Sequence, residues 1–348
     1  MTRNGNGPFS RWRLGSGRAA VARVALLTLV AAATLILPGS PASAYYPDPY
    51  AYVPNCTNNG VSVVSLATNQ VVKTLAVPST PLGVGINPGG TRAYVSVQNA
   101  VMVYDTLQDT LLTVVPNAGP RPGPIAVDPT GTFAYVTNPS YGGPGPLTVI
   151  SVETNTIVAR IPSIDGSAGF LAFNPAGTRL YVTDYWGIVY VVDVATHSMI
   201  GTIPVGNHPT GVAVNPSGTR LYVANGWDNT VSVIDLATHA TIATIPVGSQ
   251  PEGVALNPSG TRLYVANNYS GTISVIDTAT NTVVTNFSAG YGVQAIAFNP
   301  DNPAVGYFVR FASGNALLRF STTSNTTIGF VGVGSNPCDL AVSRGYGA

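Results

Sequence analysis

The sequence predicts an all-β protein, a seven-bladed β-propeller of four-stranded antiparallel blades, and three observations carry that prediction. Residues 215–225, NPSGTRLYVAN, recur letter for letter at 257–267, a spacing typical of one supersecondary unit stacked many times. Gly (38) and Pro (28) are abundant, and only 8% of the 348 residues are charged, which suits short strands joined by tight turns. The repeated unit also splits into four β-type runs, and each kind of run occurs seven times along the chain.

The elements follow in chain order. Arg3, Arg11, Arg13, Arg18 and Arg23 lead into an apolar run from Val24 to Leu37, and PGSPASA then places Ala42 and Ala44 for cleavage after Ala44. Residues 1–44 therefore read as a secretion signal peptide. The apolar run is 14 residues, short of the ~18–20 a membrane helix needs. No transmembrane segment is expected after cleavage, the alternative being an uncleaved anchor. Residues 45–50 form a Tyr/Pro-rich lead-in, and 51–348 one propeller domain.

Removing the signal changes the charge. The chain carries 15 Lys+Arg against 14 Asp+Glu, and five Arg leave with the signal, so 10 face 14 for a net of −4. Nucleic-acid binding rests on neutralising phosphates with a basic face, so no nucleic-acid partner is expected.

Within a blade the four runs are inner, second, third and outer. The inner runs, from Val84-Gly85-Ile86 to Leu340-Ala341-Val342, always have Gly or Ala in the centre and a large apolar residue on each side. Alternate residues of a strand face opposite ways. Each sheet is thus bulky on one face and hollow on the other near its inner edge. Such sheets nest face to face, and only a ring gives every sheet two neighbours. NPSGT joins inner to second strand, and D-x-A-T (Asp193, Asp235, Asp277) follows the third, where a carboxylate accepts turn N–H groups.

The chain starts in a second strand (Ala51) and ends in an inner one (Leu340–Ser343), so the closing blade takes three strands from the N-terminus and one from the C-terminus. Cys338 then matches Thr210, just before an inner strand, and Cys56 matches Gly226, just after a second strand. Antiparallel pairing sets these positions opposite each other, which predicts a Cys56–Cys338 disulfide in an exported protein.

YVTN stands at Tyr135–Asn138, YVTD at 181–184 and YVAN at 222–225 and 264–267. With NPSGTRLYVAN, TVSVIDLAT and IATIPVG, this resembles the bacterial YVTN-family (YncE-like) β-propeller repeat over essentially all of 50–348. Units 4 to 6 carry the resemblance best, and unit 7 and the N-terminal unit depart from it. The resemblance implies an exported seven-bladed propeller whose motif residues are scaffold. It supplies no catalytic set.

The inner–second and third–outer turns share one face and are regular. The second–third loops and blade-to-blade connections share the other and vary, and variation on a constant scaffold is where sites sit. Tyr141, Tyr185, Trp186, Trp227, Tyr269 and Tyr291 fall there among Asn, Gly and Ser, with Asp228 beside Trp227. Flat rings with polar neighbours suit a protein or glycan ligand. His208 and Glu252, in connections of adjacent blades, are the candidate acid–base pair of an alternative lactonase- or lyase-type enzyme, and Asp184 and Asp228 are weak metal candidates. Nucleophile-elbow, phosphate-loop and HExxH motifs are absent from the sequence. His197 and His239 read as solvated turn residues, and the Arg of GTR (Arg92, Arg179, Arg220, Arg262) as locally paired. The expectation is a monomeric, secreted or cell-surface binding scaffold without a cofactor.

Overall fold

The computed structural model describes residues 49–139, 145–162, 168–311 and 314–343. They form seven four-stranded antiparallel sheets, all β and without a helix among the described residues. Blade 5 is representative. Its strands run Pro209–Val214, Arg220–Asn225, Thr230–Asp235 and Thr241–Pro246 from the axis outward. The second and third strands are buried almost throughout, and the outermost alternates between exposed and partly covered. The expected signal peptide, residues 1–44, and most of the expected lead-in lie outside the described residues; Tyr50 already belongs to the first strand, Tyr50–Asn55.

Blade 1 closes the ring as the chain ends require. Ala341–Val342 is its innermost strand, paired with Tyr50–Asn55, and Gly60–Ser65 and Gln70–Ala76 complete it. Ala51 faces Val342 and Tyr52 faces Ala341. Backbone bonds extend the seam, from Cys338 N–H to the Pro54 carbonyl (3.1 Å) and from Cys56 N–H to the Asn336 carbonyl (3.0 Å).

The core is seven cores. Seven clusters of buried side chains each draw on two adjacent blades, and the last joins blade 7 to blade 1. Near the axis the blades approach so closely that side chains are excluded. A Cβ on Gly253 would fall 2.0 Å from the Gln294 carbonyl oxygen, and one on Gly211 would fall 2.2 Å from that of Glu252.

The Cys56–Cys338 disulfide is formed, with Cα atoms 6.0 Å apart across 282 residues of sequence. It ties the C-terminal strand to the N-terminal one and so restricts the opened chain. Replacing both cysteines with serine is expected to cost about 2–5 kcal/mol. Chemical denaturation of the two proteins checks this, and an unchanged midpoint would count against the seam as the weak point of the ring.

Candidate functional site

On the regular face, each turn between third and outer strands needs one left-handed residue. Asn69, Asp109, Asn155, His197, His239, Asn281 and Asn325 fill it, with φ between 50° and 58°, a region that Asn, Asp and His tolerate better than most residues. His239 is exposed there, as expected. His197 is only partly exposed. Its Nδ1 lies 2.8 Å from the Tyr135 hydroxyl, its ring meets Phe133 edge-on at 4.6 Å, and burial pulls its pKa down. Asp193, Asp235 and Asp277 accept turn N–H groups, and Arg179 and Arg262 pair with Asp193 (2.6 Å) and Asp277 (2.5 Å). Arg220 donates to the Thr278 carbonyl (2.7 Å), and Arg92 to that of Val152. Of the GTR arginines, Arg179 and Arg262 are thus locally paired, whereas Arg92 and Arg220 reach the backbone of the following blade.

The opposite face gathers the aromatic side chains. Tyr185 meets Trp186 (5.1 Å), His208 (4.6 Å) and Trp227 (5.1 Å) edge-on, while His208 stacks on Trp227 at 5.0 Å and 13°. Four rings from two blades and their connection thus form one group. Tyr269 and Tyr291 form a second, parallel pair at 6.0 Å. Trp186, Trp227, Tyr269 and Tyr291 are each 57–70% exposed, and Phe311 is 39% exposed. Tyr141 lies outside the described residues.

Loop hydrogen bonds fix these rings. Asp228 accepts from the Asn207 N–H (2.8 Å) and side-chain amide (2.9 Å), and Asp184 accepts from Trp186 N–H (2.9 Å). Both weak metal candidates therefore serve as loop anchors here, and no group of three or more metal-type ligands occurs among the described residues.

His208 and Glu252 stand apart. His208 occupies a left-handed position (φ 53°) matched by Gln250 and Asn336 in other blades, so the backbone itself selects such a residue. Its Nδ1 is buried without a hydrogen-bond partner, and burial lowers its pKa. Glu252 is the second residue of the innermost strand Pro251–Leu256 and not part of the connection expected to hold it. Its carboxyl is pushed up to about 7 by burial, opposed by a hydrogen bond with Gln294. The axial cavity, about 360 Å³, is lined by the innermost strands of all seven blades and by neither of these residues. Asp339 is the one ionisable group in that lining. It receives hydrogen bonds from Val84 N–H (3.0 Å) and Leu340 N–H (2.8 Å), and burial pushes its carboxyl up to about 6.

Residues 213–320 match the model of the YNCE-like beta-propeller family. That match covers part of blade 5, all of blade 6 and most of blade 7 of the seven-bladed ring. A curated relative, the uncharacterized protein YwhL of Bacillus subtilis (strain 168), is 29% identical over 143 residues, 41% of this chain and 29% of YwhL. The chain thus spans under a third of that relative's length in the match. Among solved structures, a functionally unknown protein from Desulfotomaculum acetoxidans DSM 771 superimposes with a TM-score of 0.75 at 16% identity, over 85% of this chain and 99% of that one. Kuenenia stuttgartiensis hydrazine synthase gives 0.71 at 18% identity, over 82% and 99%. Dihydro-heme d1 dehydrogenase NirN gives 0.64 at 14%, over 88% and 77%. At such identities the likeness concerns the fold.

Sequence reasoning passed over three features of this propeller. Asp339 stands where the other inner strands carry Gly83, Pro124, Phe170, Gly211, Gly253 and Ala295, a departure visible once the copies are aligned. Arg310 likewise stands where Asn225 and Asn267 end the second strand of blades 5 and 6. Phe311 follows it in the same loop.

Glu252 and Asp339 are both raised above their ordinary values of 4.5 and 3.8. Their favourable contribution is therefore complete below those ordinary values and is lost as pH rises through about 6 to 7. E252Q should flatten the upper part of this decline and gain about 1–3 kcal/mol near pH 8. Thermal melts of both proteins at stepped pH check this; parallel curves would show that Glu252 does not titrate as described.

Proposed function

We propose that this chain is an exported, monomeric binding propeller that takes a protein or glycan ligand on its variable face without transforming it. The observation that carries the reading is the run of exposed rings, Trp186, Trp227, Tyr269, Tyr291 and Phe311, across blades 4 to 7. Exposed aromatics presented among Asn, Ser and Gly loops bury large flat area on contact, while polar neighbours orient the ligand. The basic N-terminus with its apolar run, the disulfide, and the lack of any described helix able to cross a membrane are all compatible with export. The double variant W227A/Y269A should lose at least about tenfold in affinity for a ligand found by glycan array or surface-protein overlay, as expected for aromatic anchors. Its melting temperature should stay near that of the parent because both rings are exposed. Undiminished binding would move the site elsewhere.

A small-molecule lactonase or lyase remains the second reading. The observation favouring it is the Glu252 carboxyl near 7, a value suited to general acid–base work at neutral pH. If it holds, E252Q and H208A each abolish turnover in a lactone and ester panel. Activity that survives both removes that assignment.

A further inference from the structure

Arg310 distinguishes one end of the aromatic run. It ends the second strand of blade 7, Val305–Arg310, opposite Val293, where blades 5 and 6 place Asn225 and Asn267 opposite Pro209 and Pro251. Those amides are buried and hold the third strand through Ser232 and Ser274. A guanidinium is larger and charged, and the loops around it have made room. Gly290 (φ +86°) and Gly314 (φ +102°) flank it, and a Cβ on either would fall 2.4 Å and 2.8 Å from its two terminal nitrogens. Its Nε is buried and has no hydrogen-bond partner. Gly290 immediately precedes the exposed Tyr291, Phe311 immediately follows Arg310, and Tyr291 lies parallel to Tyr269. A positive charge thus packs against Gly290, the residue before Tyr291, and directly precedes Phe311 in the chain.

We propose that the variable face binds an acidic polysaccharide, with Tyr269, Tyr291 and the Trp227 group as platforms for successive sugar rings and Arg310 as the partner of a uronate carboxylate. This rests on the binding reading above and names its ligand class. The rings are distributed over several blades with Asn-, Ser- and Gly-rich loops between them. A folded protein partner would favour one contiguous apolar centre. Arginine supplies the planar donor fork that a carboxylate fits. The expected net charge of −4, from 10 Lys+Arg against 14 Asp+Glu after signal removal, gives a polyanion no bulk attraction. Recognition must therefore come from one carboxylate at one site beside the stacked rings.

The test is calorimetric titration of the mature protein with hexagalacturonate, its fully methyl-esterified form and a glutamate hexapeptide. Hexagalacturonate should bind at least tenfold tighter than the methyl ester, and tighter than the peptide. R310Q should erase the preference over the ester while leaving ester binding in place. R310K should restore part of it, and W227A should weaken both sugars. Near-UV circular dichroism confirms that each variant is folded. Equal affinity for acid and ester, a preference that survives R310Q, equal binding of the peptide, or no binding of hexagalacturonate each overturns the acidic-glycan assignment. The wider binding reading would fall separately, by failure of W227A/Y269A to affect a ligand identified by array or overlay.

Discussion

One side chain per blade, handed to the next blade, carries this structure. Tyr52, Tyr94, Tyr135, Tyr181, Tyr222, Tyr264 and Tyr307 occupy the same place in the seven second strands, and each is at most 4% exposed. Each enters the cluster shared with the following blade, and Tyr307 of blade 7 enters the one shared with blade 1. The ring supplies apolar area and the hydroxyl seeks a partner. Tyr135 finds His197 and Tyr264 finds Asn325, both in the turn between third and outer strands of the next blade. In these two joints the left-handed turn position is therefore also a receiver for the neighbour's tyrosine. Burial raises the pKa of Tyr52 and Tyr135, which keeps these hydroxyls protonated as donors.

A ring built from nearest-neighbour interfaces has stability that is close to a sum over equivalent joints, and closure makes the last joint different in kind. Six blades are continuous in sequence, whereas blade 1 is assembled from both ends of the chain. Its inner strand is the short pair Ala341–Val342, against four to six residues in most other blades. Two devices reinforce it from adjacent positions. Cys338 ties that strand to its own blade, and the Asp339 carboxylate ties it to blade 2 through Val84 N–H. The carboxylate stands where most blades have a small residue, so closure introduces the one charge in the axial lining.

These features were unequally legible in the sequence. Seven second strands built on a tyrosine, six of them Tyr-Val, and seven Gly- or Ala-centred inner runs made the architecture readable, because a repeat samples the same physical problem seven times. Ring closure then put Cys56 against Cys338 without any local signal. The grouping of Tyr185, His208 and Trp227 was not readable, since it forms where the connection between blades meets the loops of both. His197 was misjudged as solvated for a related reason. Its turn is local, but the Tyr135 that covers it arrives from the preceding blade. Glu252 was expected in the connection but belongs to the innermost strand, and its hydrogen bond with Gln294 comes from the adjoining inner strand, which periodicity in its own blade does not reveal.

Comparison between blades also separates what the fold needs from what it permits. Histidine at 197, 208 and 239 answers a backbone that is left-handed at each of these places, so its presence there has a structural cause before any chemical one. Trp227 has no such cause. The corresponding loop of blade 1, Cys56-Thr57-Asn58-Asn59, closes with Asn59 at φ 49°, as Gly226-Trp227-Asp228-Asn229 closes with Asn229 at φ 56°. The same loop therefore forms around threonine or tryptophan. Replacing Thr57 by an indole that remains 58% exposed gains little from burial within the chain and leaves apolar area in water. Within the chain its ring packs on His208 and Tyr185 and stays otherwise open to solvent. That asymmetry between a required histidine and an unrequired tryptophan directs functional interest toward the rings.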